Sequence, residues 1–268
     1  MQIIRRSVKI KQVLSALEQF APLPLQESWD NAGLQVGLTE AEVSGALLCL
    51  DVNERIVDEA IAKGCNLIVS HHPLLFRGLK QISGANDVQR TVIYAIKHDV
   101  VIVSMHTNRD NALDGVNGKI AERRGMKGGR FFAQKAVDGL EAGSGVVGDL
   151  PSEMDAKAFV DLVKNKFHCA CAMCNELLQR PIRKVAICGG AGDFLLPDAI
   201  REGADAFITG EMHYHQYFGY EQQIQICVIG HYQSEQFTAE IFRDIIQREC
   251  PGVKTFVADT CTNPIYYY

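Results

Sequence analysis

Imidazole and carboxylate side chains gather just after four short apolar runs of this 268-residue sequence. Imidazole and carboxylate together suit zinc, iron, manganese or nickel, whereas calcium takes oxygen ligands only. These ligands outnumber what one tetrahedral site can use, so the pattern favours two metal ions bridged by a carboxylate. The four groups are His71 with His72, His106 with Asp110, Glu211 with His213 and His215, and His231 with Glu235.

The adjacent pair His71 and His72 follows an apolar run over residues 67–69. Neighbouring side chains of an extended segment point to opposite sides. Both rings can therefore reach one site only if the chain turns there, or if the site holds more than one metal. Pro73 favours a turn, because it fixes its own φ and keeps His72 out of the helical region. Taken alone, the pattern more often describes two hydrogen-bonded histidines at a strand end, and the other three groups change that balance.

Alternating strands and helices must position these side chains. The alternation predicts an α/β fold with mostly parallel sheets, in which ligands bind beyond the carboxyl ends of the strands. We predict strands over residues 46–50, 67–69, 100–103, 185–188, 206–209 and 226–229, and a last one near 253–257. We predict helices over residues 53–63, 88–97, 114–124, 155–166 and 234–248, one ending at Gly203 and one following His215.

A repeat relates the two halves of the chain. A shift of 139 residues pairs Ala60, Ile61 and Gly64 with Ala199, Ile200 and Gly203, and a histidine-x-x-x-carboxylate spacing occurs at His106 and again at His231. We infer duplicated α/β repeats related by a pseudo-dyad, with sheets flanked by helices. The first repeat covers residues 1–125. The second covers 126–268, begins with a Gly-rich connection, and carries the His231/Glu235 motif in a part that converges on the first. Chance similarity of such units is the alternative.

The composition of the chain limits the classes of partner and the cellular compartment that we expect. The net charge of −5 and the lack of a long basic run argue against a nucleic-acid or membrane surface. Nine cysteines without a secretion signal indicate free thiols in the cytoplasm. The first twenty residues place apolar side chains at helical spacing, which favours an amphipathic helix over a transit peptide.

Two further motifs have alternative interpretations. Cys169, Cys171 and Cys174 form a C-x-C-x-x-C pattern, but an iron–sulfur or zinc site would need His168 as its fourth ligand, and a strand is favoured instead. The glycine-rich run over residues 189–192 could seat a phosphate on its backbone amides. A tight turn is favoured there, because no complete phosphate-binding motif occurs.

Several of these motifs together resemble the GTP cyclohydrolase I type 2-like family, also called the Ngg-one-interacting-factor-three-like family. The resemblance covers nearly the whole chain, and the combination is specific whereas each piece alone is not. It implies two divalent metals, a duplicated α/β fold, and a toroidal homohexamer with sites facing an inner cavity. The motifs are His71-His72-Pro73, His106-Thr107-Asn108-x-Asp110, Gly230-His231-x-x-Ser234-Glu235, Trp29-Asp30-Asn31-x-Gly33 and Thr209-Gly210-Glu211.

The resemblance implies five metal ligands: His71, His72, Asp110, His231 and Glu235. Glu235 would bridge, because a carboxylate has two oxygens to share. His71 and His231 would serve one metal, and His72 and Asp110 the other, each zinc, iron or manganese.

Residues around these ligands have roles left open. Glu235 and His106 are the candidate catalytic residues. His106, Glu211 and His213 either hold the ligands in place or contact substrate. Arg109 departs from the family pattern, which has an apolar residue there, and would either hold an anionic substrate or be solvated.

Two classes of function remain open. The first is a metal-dependent hydrolase of a nucleotide-like, phosphorylated or cyclic small molecule. The second is a non-catalytic scaffold that binds or delivers metal. The sequence does not choose between them.

Overall fold

The computed structural model describes residues 7–112, 126–137 and 139–268. They form two compact units, each with its own sheet. The first unit lies within Met1–Arg109 and Thr238–Pro264, and the second within Asp110–Phe237 and Ile265–Tyr268. Helices flank both sheets, so the predicted α/β class is confirmed. The helix predicted over residues 114–124 lies outside the described residues.

The sheet of the first unit has five strands in the order β1-β4-β3-β2-β13. Strands β13, β2, β3 and β4 run parallel, and β1 pairs with β4 in the antiparallel direction. Every residue of β2, β3 and β4 is buried, which explains their continuous apolar sequences. The strands are β1 (Gly33–Val36), β2 (Ala46–Cys49), β3 (Leu67–Ser70), β4 (Val101–Ser104) and β13 (Thr255–Val257).

Two helices of this unit begin at asparagine caps. Asn53 accepts a hydrogen bond from the backbone N–H of Ile56 and so caps one helix, while Gly64, with a φ of 68°, follows its end. Asn86 caps the next helix in the same way. The helices are α1 (Ile10–Phe20), α2 (Glu54–Ala62), α3 (Asp87–Lys97), α4 (Thr107–Asp110, whose last residue belongs to the second unit) and α8 (Thr238–Glu249).

The sheet of the second unit has six strands in the order β5-β8-β10-β11-β12-β9. Only β10, β11 and β12 are parallel neighbours, and the outer strands pair antiparallel. Strands β6 and β7 form a separate hairpin. The strands are β5 (Lys127–Phe131), β6 (Gln134–Val137), β7 (Leu140–Gly143), β8 (Val146–Met154), β9 (Met173–Cys174), β10 (Ile182–Cys188), β11 (Ala206–Thr209) and β12 (Gln225–Val228).

Three helices lie wholly in the described residues of the second unit, and one of them connects the parallel strands β10 and β11. They are α5 (Ala156–Lys166), α6 (Leu196–Arg201) and α7 (His231–Glu235), with 3-10 turns at Asp193–Leu195 and Tyr214–Tyr217. The prediction of a helix after His215 is wrong, because that segment forms only the 3-10 turn Tyr214–Tyr217. The single helix predicted over 234–248 is instead two helices, α7 and α8, which belong to different units.

The repeated pattern corresponds to the three consecutive parallel strands β2, β3 and β4 in the first sheet and β10, β11 and β12 in the second. Leu67 of β3 pairs with Val101 of β4, and Ala206 of β11 pairs with Gln225 of β12. His231 lies six residues after Gln225, and Thr107 lies six residues after Val101. The structural counterpart of His231 is therefore Thr107, and the predicted equivalence with His106 is wrong by one residue.

The compact units do not divide the chain at residue 125. The last helix and strand, α8 and β13, belong to the first unit, where β13 adds to the sheet beside β2. Within each sheet, the parallel strands end on the same side, and the candidate ligands follow those carboxyl ends.

Candidate metal centre

Three histidine rings lie together at the strand ends of the first unit. His71 and His72 follow β3, and His106 follows β4. The ring centroid of His71 lies 5.0 Å from that of His72 and 5.2 Å from that of His106, and the centroids of His72 and His106 are 5.4 Å apart. Each ring offers one nitrogen, and these nitrogens lie within 4.8 Å of one another. That spacing suits a shared metal site.

Two serines fix the turn that brings His71 and His72 to the same side. Ser70 and Ser104 are opposite each other in β3 and β4, and their hydroxyl oxygens are 2.7 Å apart. Both hydroxyls contact the carbonyl oxygen of His72, at 2.9 and 3.3 Å. The chain therefore turns directly after the strand, which is what two adjacent histidines need to share a site.

Each ring is oriented through its Nδ1 atom. Nδ1 of His71 lies 2.9 Å from the carbonyl oxygen of Met105, that of His72 lies 2.7 Å from Asp51 Oδ1, and that of His106 lies 2.8 Å from Asp30 Oδ1. A carbonyl or ionised carboxylate oxygen only accepts, so Nδ1 carries the hydrogen and donates it. The lone pair of a neutral ring is then on Nε2, which is the arrangement of a metal-binding histidine.

The two carboxylates behind the rings are ionised at neutral pH. Burial raises the pKa of Asp30, but hydrogen bonds from His106 and Thr107 and the attraction of His106 outweigh it and bring the pKa to about 2. Burial also acts to raise the pKa of Asp51, and hydrogen bonds from His72 and Thr262 leave it below its ordinary value. Neither aspartate was predicted from the sequence to orient a histidine, although Asp51 lies only two residues after β2.

In the second unit, His231 contacts two carboxylates. Its Nδ1 lies 2.9 Å from Glu211 Oε1, and its Nε2 lies 3.1 Å from Glu235 Oε2. His231 and Glu235 are four residues apart in α7, so they share one face of that helix. Glu235 is buried, whereas Glu211 is exposed. Glu211 therefore orients a candidate ligand, which is one of the two roles that the sequence left open.

Asp110 lies at the same end of the second unit's sheet as Glu235. Burial raises the pKa of the Cys188 thiol, and the carboxylates of Asp110 and Glu235 raise it further by electrostatic repulsion. Cys188 is the last residue of β10, so both carboxylates act at that strand end.

The glycine-rich run over residues 189–192 makes room for Glu235. A Cβ on Gly190, which has a φ of 62°, would lie 2.5 Å from Glu235 Oε1. The Gly190 N–H donates to Ser234 Oγ and the Gly192 N–H to Thr209 Oγ1. Side chains already use these amides, which supports tight packing over a phosphate cradle.

Arg109 has neither of its predicted roles. Its side chain is 1% exposed, and the guanidinium carbon lies 4.4 Å from the ring centroid of Phe20 and 5.9 Å from that of Phe242. A guanidinium held against two aromatic rings contributes to packing. The expectation that Arg109 is solvated or holds an anionic substrate is wrong, because α1 and α8 cover it.

The remaining candidates lie outside these clusters. His213 and His215 are exposed, and the His215 ring stacks on Phe218. Cys174 lies opposite Cys227 in the pairing of β9 with β12. Among the residues that the structure describes, the groups of three or more ligand atoms within 4.8 Å include no cysteine, His213 or His215. The cysteine motif therefore gains no support as a metal site.

Comparison with known proteins identifies the family. The family model for Duf34/NIF3 (NGG1p interacting factor 3) matches residues 8–264. A Clostridium perfringens protein named GTP cyclohydrolase 1 type 2 homolog is 36% identical over 229 residues, covering 85% of this chain and 87% of its own. A Lactococcus lactis protein of the same name is 31% identical, covering 97% of this chain and 99% of its own.

Solved structures agree with this result. Staphylococcus aureus protein SA1388 matches with a TM-score of 0.88 and 26% identity, over 98% of this chain and all of its own. A Bacillus cereus protein related to NIF3 matches with a TM-score of 0.87 and 22% identity over the same shares, which supports the fold. In the described part of the chain, every helix is too short or too polar to cross a bilayer. The resemblance inferred from the motifs is thus confirmed, and the chain belongs to the Duf34/NIF3 (NGG1p interacting factor 3) family.

Proposed function

We propose that the chain binds two divalent metal ions through His71, His72, Asp110, His231 and Glu235, and uses them to hydrolyse a small molecule. The observation that carries the proposal is the orientation of the histidines. Each of His71, His72 and His106 has its Nδ1 atom tied to an oxygen acceptor, which leaves Nε2 as the nitrogen to coordinate a metal.

The donor set fits zinc, iron or manganese. Imidazole nitrogens and carboxylate oxygens are the ligands that these metals share, and a buried carboxylate such as Glu235 has two oxygens with which to bridge a pair of ions. Bound divalent metals would supply Lewis acidity toward a substrate oxygen and a water nucleophile.

His106 is proposed to transfer a proton. Its Nδ1–H is held by Asp30, so a proton would be taken up or released at Nε2. The depressed pKa of Asp30 keeps this carboxylate charged, so it accepts the Nδ1–H of His106 and fixes the orientation of the ring. His106 is also the third ring of the histidine cluster, so metal content must be measured alongside turnover to distinguish proton transfer from metal ligation.

The substrate class follows from the relatives and not from the geometry. Relatives that cover most of this chain are named GTP cyclohydrolase 1 type 2 homolog. We therefore propose a nucleotide-like, phosphorylated or cyclic small molecule. The free state of all nine cysteines supports the proposed cytoplasmic location.

Turnover tests this function. Protein loaded with zinc, manganese or iron is screened against nucleotides, phosphodiesters and cyclic amides, with Glu235→Gln and His106→Gln as variants. We expect metal-dependent turnover by the native protein, loss of metal and turnover in Glu235→Gln, and loss of turnover with metal retained in His106→Gln. Stoichiometric metal without turnover of any substrate would favour the non-catalytic scaffold.

A further inference from the structure

Two exposed aromatic rings lie side by side in the first unit. Trp29 is 56% exposed and Phe76 is 47% exposed, and their ring centroids are 5.7 Å apart with the planes tilted by 51°. We call these two residues the aromatic pair. Large apolar rings grouped on a surface are typical of a binding site.

The aromatic pair adjoins the histidine cluster. The ring centroid of His106 lies 5.9 Å from that of Trp29 and 6.3 Å from that of Phe76. The His106 ring also approaches His71 and His72, at 5.2 and 5.4 Å between centroids. A molecule that rests on the aromatic pair would therefore lie next to the proposed proton-transfer residue.

Hydrogen bonds hold the two loops that carry these rings. Asn31 Nδ2 donates to the carbonyl oxygen of Leu75 at 2.7 Å, and the Leu75 N–H donates to Gln35 Oε1 at 3.1 Å. Gln35 is buried, and its Nε2 donates back to the carbonyl oxygen of Asn31 at 2.7 Å. Asp30, adjacent to Trp29, is anchored on Thr107 and His106. The rings are thus exposed on a fixed backbone, which lowers the entropic cost of binding a flat ligand.

We propose that the aromatic pair binds a planar heteroaromatic ring of the substrate, such as a nucleobase, and presents the attached group to His106. The term substrate rests on the proposed function; the binding of the ring does not. Aromatic side chains stack on flat π-systems such as nucleobases, because two extended planar surfaces can be in contact over their whole faces.

The single tryptophan of the chain makes this proposal measurable. Trp29 is the only tryptophan, so intrinsic tryptophan emission reports on the aromatic pair alone. The zinc-loaded protein is titrated with GMP, guanosine and ribose 5-phosphate. We expect saturable changes of emission with GMP and guanosine, and none with ribose 5-phosphate.

Variants test whether ligand binding depends on the aromatic pair in particular or on any exposed aromatic ring. Phe76→Ala should weaken GMP and guanosine binding by about tenfold or more, the usual loss when one stacking ring is removed. Phe218→Ala, which removes a similarly exposed ring in the second unit, should leave the affinities unchanged. Phe76→Tyr, which keeps an aromatic ring, should bind GMP and guanosine about as tightly as the native protein does.

Three results of the fluorescence titrations would overturn the proposal. The first is an equal response to ribose 5-phosphate and guanosine, the second is no saturable response to any of the three ligands, and the third is an emission that depends only on protein concentration, which would place a second copy on the aromatic pair. Guanosine binding without turnover of any substrate would support the ring site while removing the hydrolase. Turnover of a nucleotide with a KM unchanged in Phe76→Ala would support the hydrolase while removing the ring site.

Discussion

At the scale of single residues, the site depends on oxygen acceptors that orient imidazole rings. Asp51, Asp30 and the carbonyl oxygen of Met105 each take the Nδ1–H of one ring. Such partners fix the tautomer and raise the basicity of the coordinating nitrogen. Metal affinity should therefore depend on residues that do not touch the metal.

We expect Asp51→Asn to weaken metal binding by roughly 10- to 100-fold, the usual effect of losing the carboxylate behind a ligating histidine. The amide keeps the size of the side chain but removes the charge that stabilises the Nδ1–H. Competition with a chromophoric chelator measures the change. Asp259→Asn is the matched control, because Asp259 pairs with Lys63 and not with a histidine. Equal affinities in the native protein and Asp51→Asn would contradict this role.

The pKa of Asp30 sets a second expectation at this scale. Its pKa is about 2 in the folded protein and 3.8 ordinarily, so its stabilising effect is complete above about pH 4 and is lost as the pH falls toward 2. Denaturant unfolding of the metal-free protein at a series of pH values measures this loss. Asp30→Asn should be less stable at pH 7 and less sensitive to acid in that window. If Asp30→Asn kept the native acid dependence, Asp30 would be excluded as the cause.

The sequence placed the candidate ligands after strand ends, where the structure also has them, because apolar runs mark where the chain leaves the sheet. The aspartates behind the rings were missed, because Asp30 reaches His106 across 76 residues of sequence and no local pattern records such a contact. The role of Arg109 was mistaken for a similar reason. Its neighbours Phe20 and Phe242 come from opposite ends of the chain.

At the scale of elements, the candidate ligands follow the ends of parallel strands, and short connections shape the space around them. Gly210, which follows β11, lies close to both the glycine-rich run and α7. A Cβ on Gly210 would lie 2.6 Å from the Gly190 carbonyl oxygen and 2.7 Å from Ser234 Oγ. Glycine is needed at Gly210 for this close approach and at Gly190 to leave space for Glu235.

Substituting Gly190 should therefore harm the metal site as well as the fold. Gly190→Ala places a Cβ against Glu235 Oε1 and also strains a residue with a φ of 62°. Gly203 has a similar φ of 70°, but a Cβ there would lie 3.9 Å from the nearest atom, Lys184 Nζ, so Gly203→Ala carries the strain alone. Gly203→Ala should lose about 1 kcal/mol of unfolding free energy, and Gly190→Ala should lose more because it adds the contact with Glu235.

Only Gly190→Ala should lose metal affinity, which calorimetric titration with zinc would measure. Equal zinc affinity in the two alanine variants would show that the close approach to Glu235 does not shape the site.

The sequence predicted the buried parallel strands β2, β3 and β11 within one residue, because they are continuous apolar runs. Strands β5 to β8 were not predicted, because glycine has a low strand propensity and interrupts their pattern. The break between α7 and α8 was also missed. Helical periodicity continues across it, whereas the two helices belong to different compact units.

At the scale of the whole molecule, the family resemblance implies a toroidal hexamer, which remains a prediction. Light scattering on purified protein should give a mass about six times that of the 29.6-kDa chain. Sedimentation over a range of concentrations would separate a closed ring from open association. A monomer at micromolar concentration would remove the ring from this account and leave the proposed ligands unaffected.

Metal content tests the proposed pair of metal ions. Protein purified without chelator, or reconstituted with zinc, manganese or iron, should contain about two metal ions per chain by elemental analysis, as the ligand count implies. His72→Ala and Asp110→Ala should lose metal while keeping a native circular dichroism spectrum, since both ligands lie beyond the buried strands. Native protein without metal after reconstitution, or variants with full metal content, would contradict the account.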